Sequence, residues 1–148
     1  MTRMGTAAIV AAAALAALLQ PASLGAGSGF VIVVNQANPL NSLVRADVSK
    51  LFLKRTPAWP NGVRALPCDL SSISPARKAF SQDVLGKPVW VVVAFWQQEI
   101  ASGRSQPPPS CASEPAALQA VRHDPGAVAY VSEGTALGPG LKLLALEP

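Results

Sequence analysis

The chain has 148 residues, with 12 basic side chains, 8 acidic ones, a single histidine and two cysteines. That length suits one domain, and a formal charge of +4 favours small anions only mildly, well short of the dense basic patches that read nucleic acid. Neither cysteine has a second ligand at short spacing, and GxSxG, paired CxxC and HExxH patterns are absent, so the sequence argues against metal, cofactor and catalytic chemistry.

The first segment stands outside the fold. Arg3 precedes an unbroken apolar run, Thr6 to Leu19, which Pro21 and the small residues ASLGAGSG then end. A positive start, a short apolar centre and a small-residue region describe a signal peptide. The run is shorter than the roughly 20 residues that span a bilayer. Residues 1–25 are therefore read as a signal peptide, with cleavage between Ala22 and Ser28, and 26–148 as a single exported α/β domain. Export also permits a disulfide between Cys68 and Cys111.

FVIVVN (Phe30 to Asn35) reads as a buried strand, and QANPLNSL as turns. VRADVSKLFLKR places Val48, Leu51 and Phe52 on one helical face. TPAWPNG ends that helix, and VRALPCD reads as a second strand stopped by Pro67. Ser74 caps a helix with Pro75 in its first turn, and Gly86 suits its C-terminal end. PVWVVVAFWQQEI has β-branched residues, yet Val89, Val93, Trp96 and Ile100 recur at helical spacing, and helix is the expectation. The loop SGRSQPPPSCAS follows, then a helix capped by Ser113, a turn at HDPG, and strands at AVAYV and LKLLAL. Strands alternating with helices imply a mixed α/β sandwich. Trp59, Trp90 and Trp96 are read as core residues, and Tyr130 as a half-buried core aromatic.

One stretch carries chemistry: DLSSISPARKAF, Asp69 to Phe80. The first turn of a helix has unpartnered N–H groups, and its dipole favours an anion. Ser71, Ser72 and Ser74 add hydroxyls, and Arg77 offers a bidentate clamp for phosphate, sulfate or carboxylate. Asp69 would orient Arg77 or accept a proton from the ligand. The plainer alternative makes Ser74 a cap, Asp69 part of a turn and Arg77 a solvent-facing side chain. Asn35, at the end of the first strand, is a further candidate ligand, with a turn contact as its alternative. Arg104 is a weaker one. His123 beside Asp124 reads as part of the DPG turn.

Taken in order, these segments resemble the substrate-binding proteins of phosphate ABC transporters, and more closely their small single-lobe, PstS-like relatives. The resemblance runs from Phe30 to about Ser132: VIVVNQANP; VSKLFLKRTPAW, similar to an "IF-G-K---W" element; DLSSISPARKAF at the serine-rich loop; FWQQEIASGR; and HDPGAVAYVS, similar to "PGAIGYV". It implies one lobe of the type 2 periplasmic binding protein fold, a mixed sheet flanked by helices. It further implies non-catalytic binding of phosphate or a similar oxyanion, linked to uptake through a membrane transporter or another periplasmic protein. Ser72, Ser74 and Arg77 take the binding roles by position. SPAR stands where larger relatives have glycine and threonine, and Lys54 where the helix commonly ends in glycine. The chain is too short for a two-lobed clamp. A secreted interaction or structural module that keeps the lobe without the ligand is the alternative, and a homodimer that rebuilds a cleft is open.

Overall fold

The structure, a computed structural model, describes residues 28–148; the signal peptide expected over 1–25 lies outside the described residues. FVIVVN forms β1, Phe30–Asn35, in which every residue but Val31 is buried. AVAYVS forms β4, Ala127–Ser132, and LKLLALE forms β5, Leu141–Glu147. Both pair antiparallel with β1, Ile32 standing opposite Tyr130 on one side and Leu144 on the other. Two short strands extend the edges in parallel: β2, Ser42–Val44, along β5, and β3, Leu66–Pro67, along β4. The order is therefore β2-β5-β1-β4-β3.

The described residues form four helices: α1, Arg45–Phe52, α2, Pro75–Asp83, and α4, Glu114–His123, which pack on strands, and α3, Val89–Ala101, which packs on α2. α1 and α2 meet the sheet through aromatic rings. Phe80 of α2 stacks on Tyr130 at 4.0 Å between centroids, Phe30 meets Phe80 edge-on at 5.6 Å, and Phe52 of α1 lies 5.7 Å from Tyr130. The opposite face of β1 belongs to α4. Alternation along the strand turns Asn35 away from the Phe30 side, and its Nδ2 donates to the carbonyls of Val121 and Arg122 at 3.0 and 3.1 Å. α4 buries Ala117, Leu118 and Val121, the apolar stripe expected of it.

Several details differ from the sequence reading. β2 sits where only turns were expected; the turn residues precede it, with Asn38 Oδ1 accepting from Leu40 N–H. The second strand shrinks to two residues at the sheet edge, where Leu66 and Cys68 N–H donate to the Gly126 and Val128 carbonyls and the Pro67 nitrogen, between them, faces away from β4. Tyr130 is fully buried rather than half-buried, because Phe80 covers its ring. Trp59 and Trp96 are core residues as expected, but Trp90 is 73% exposed. It lies two positions before the buried Val92, about 200° around the helix, and so falls outside the face that α3 buries. No helix among the described residues is long and apolar enough to cross a membrane.

Candidate anion-binding cleft

The site forms where β3 ends. Pairing with β4 continues one residue past the strand, Cys68 N–H donating to the Val128 carbonyl at 2.8 Å, and brings Asp69 alongside Tyr130. The loop after α3 then pairs with Asp69. Asp69 N–H donates to the Pro109 carbonyl at 2.9 Å, and the Asp69 carbonyl accepts from Cys111 N–H at 2.7 Å. A Cys68–Cys111 disulfide, with Cα atoms 6.0 Å apart, secures this junction. The proline loop is thereby held beside the start of α2.

α2 is capped from within. Ser74 Oγ accepts from Arg77 N–H at 3.3 Å, and Ser74 N–H donates to the Ser71 carbonyl at 2.9 Å. Pro75 occupies the first helical position and has no N–H to offer. The amide cradle that the sequence suggests is thus largely spent on the helix itself, and side chains carry the remaining polar chemistry.

Arg77 is central. It is only 4% exposed, although its position in the sequence resembles that of a surface residue. Its Nη1 pairs with Asp69 Oδ2. The Tyr130 hydroxyl donates to Asp69 Oδ1, and Leu70 N–H donates to the same oxygen at 2.9 Å and to Tyr130 Oη at 3.1 Å. Burial raises the Tyr130 phenol above its ordinary pKa, while the Arg77 charge and the Leu70 N–H pull it the other way. The hydroxyl therefore stays protonated at neutral pH and remains a donor. With its oxygens held by these donors, Asp69 acts to fix Arg77 in place. A guanidinium has five N–H donors, and one here is orphaned: Arg77 Nε is buried without a hydrogen-bond partner. Leaving a buried donor unmet costs about 1–3 kcal/mol, so Arg77 keeps hydrogen-bonding capacity that Asp69 does not use.

Arg77 lines a cleft of ≈ 320 Å³. Asp69, Ser71, Ser72, Arg77 and Ser110 form its polar wall. Val93, Trp96 and Ile100 of α3, with Pro107 and Pro108, form the facing apolar wall. Ser71 and Ser72 are exposed, so their hydroxyls are free to turn toward a ligand. Of the residues singled out in the sequence, Asp69, Ser71, Ser72 and Arg77 meet here. Ser74 contributes the cap and does not line the cleft. Asn35 is elsewhere: its amide is committed to α4, and its Oδ1 accepts from Ala37 N–H at 2.9 Å. Arg104 pairs at the surface with Glu99, Nη2 to Oε1 at 2.8 Å. Sequence reasoning missed Tyr130, Ser110 and the α3 wall. The cysteines were the available signal, since Cys68 and Cys111 directly flank Asp69 and Ser110, and a bridge between them sets those two residues side by side.

At the level of sequence, no family model and no curated protein matches the chain. Solved structures do match in fold. An ABC-type phosphate transport receptor from Vibrio cholerae superposes with a TM-score of 0.60 at 20% identity, over 80% of this chain and 46% of that one. A Clostridium perfringens protein assigned to the phosphate ABC transporter substrate-binding proteins, solved with phosphate bound, gives 0.62 at 13% identity, over 80% and 44%. PstS from Borrelia burgdorferi gives 0.61 at 11%, over 80% and 47%. The chain thus has the fold of one lobe of a type 2 periplasmic binding protein. It spans less than half the length of each of these structures.

Proposed function

We propose that this protein binds a small oxyanion, phosphate foremost, without catalysis, as an exported component linked to ABC-type uptake. The observation that carries the reading is the buried Arg77 guanidinium, fixed by Asp69 and Tyr130, in a residue that lines a cleft beside Ser71 and Ser72. The likeness in fold to phosphate transport receptors supports it. Arg77 supplies charge and a planar pair of donors, Ser71 and Ser72 supply hydroxyls, and Asp69 positions Arg77. The N-terminal apolar segment and the disulfide both suit a periplasmic protein.

Calorimetric titration with inorganic phosphate tests this. Saturable one-to-one binding is expected, weakened about tenfold by Ser72→Ala, the loss of roughly one hydrogen bond to a charged ligand at about 1.4 kcal/mol. Ser72 is exposed, so folding should survive the change. Absence of any binding heat at millimolar phosphate would leave a secreted interaction module instead.

A further inference from the structure

Beside the arginine cleft runs a second and larger one, of ≈ 600 Å³. Ser72, Val93 and Gln97 line both, so the two adjoin. The larger one lies along α3, past Ala94, Trp90 and Pro88, with Lys78 and Gln82 on its other side. α3 exposes an apolar stripe at positions 90, 93, 94, 97 and 100, broken only by Gln97. Residues at this spacing share one helix face. The stripe therefore starts in the wall that faces Arg77 and leads away from it.

A bare oxyanion explains only half of this arrangement. Its oxygens would meet Arg77, Ser71 and Ser72 on one side and, Gln97 apart, only Val93, Trp96, Ile100 and two prolines on the other. Polar oxygens buried against apolar atoms without partners are destabilised. The larger cleft, at ≈ 600 Å³, is also of the size that accommodates organic ligands, about 300–1,000 Å³, with few polar groups fixing orientation on a mainly apolar lining.

Resting on the anion-binding reading, we propose that the preferred ligand is a singly substituted phosphoryl group, a phosphomonoester or phosphonate, whose apolar substituent lies along α3. The free phosphoryl oxygens face Arg77, Ser71 and Ser72. The substituent leaves over Val93 toward Ala94 and Trp90. The same chemistry occurs in a soluble organophosphate and in a lipid with a phosphomonoester headgroup.

Calorimetry of the purified protein with inorganic phosphate, methylphosphonate and butylphosphonate tests the proposal. Affinity should rise by up to about fourfold per buried methylene, so butylphosphonate, with three more methylenes than methylphosphonate, should bind about tenfold tighter and at most about sixtyfold. Val93→Asp, a change at an exposed position, should abolish that dependence on chain length. Sedimentation with phosphatidylcholine vesicles, with and without phosphatidic acid, separates the sources. Phosphatidic acid-dependent sedimentation assigns a lipid headgroup, and chain-length dependence without sedimentation assigns a soluble ester. Inorganic phosphate binding as tightly as butylphosphonate would overturn this inference and leave the oxyanion reading intact. Failure of all three ligands to bind would overturn both.

Discussion

Arg77 sits in the first turn of a capped helix, where solvent would be the ordinary neighbour of a long cation, yet it is almost wholly buried. Such a charge persists only because Asp69 stands beside it, and Asp69 in turn is held by Tyr130 and Leu70. Arg77→Ala should therefore destabilise the fold as well as remove the anion hook. It leaves a largely buried carboxylate unpaired, at a cost of about 3 kcal/mol readable as a lower urea midpoint. Tyr130 gives a pH signature. Its phenol is raised by burial against the opposing Arg77 charge, so the folded state holds that proton more tightly than the unfolded chain, in which the pKa is about 10. The resulting stability is fully present below about pH 10 and is lost as pH rises through the folded pKa. Tyr130→Phe should flatten that alkaline part of the stability profile, measured by denaturation across the range. Gly126 is a third residue with a single explanation: a Cβ there would come within 2.2 Å of the Arg64 carbonyl oxygen. Gly126→Ala should cost about 1–3 kcal/mol through that clash, seen as a lowered Tm.

At the scale of elements, α1 ends in a Schellman motif. Arg55 N–H reaches the Lys50 carbonyl at 2.9 Å and Lys54 N–H the Leu51 carbonyl at 3.1 Å. The residue that must turn left-handed is Lys54, at φ 54°, where glycine would carry no Cβ penalty. Lys54→Gly should stabilise the protein by about 1 kcal/mol, detectable as a raised Tm. The helix α3 was legible because its apolar spacing and the polar QQE outweighed its valines. Which of its faces would be buried was not legible. That depended on where α2 lies, and Trp90 was accordingly misplaced in the core. β2 left no pattern of its own, since three edge residues beside β5 are too few to show a period. The candidate site was half legible. Asp69, Ser71, Ser72 and Arg77 are neighbours in sequence, whereas Tyr130 and Ser110 reach them only through the β3–β4 pairing and the disulfide.

For the molecule as a whole, one covalent link joins the two halves of the cleft. The Cys68–Cys111 bridge spans 43 residues of sequence, and closing a loop of that length in the unfolded chain corresponds to about 4 kcal/mol in the chain-entropy account. Reduction should lower stability by an amount of this order and loosen the Ser110 wall from Asp69. The superposed part of the chain covers less than half of each of these transport receptors, and the fold it shares with them is that of one lobe. Under the proposed function, anchoring of the anion comes from the fixed, buried Arg77 guanidinium. The Arg77 Nε–H signal, followed by NMR during a phosphate titration and assigned by its loss in Arg77→Lys, reports on that claim at the atom concerned. The account predicts a saturable shift with a one-to-one endpoint. A signal that stays in place while phosphate reaches millimolar concentration, or while other residues alone respond, would contradict it.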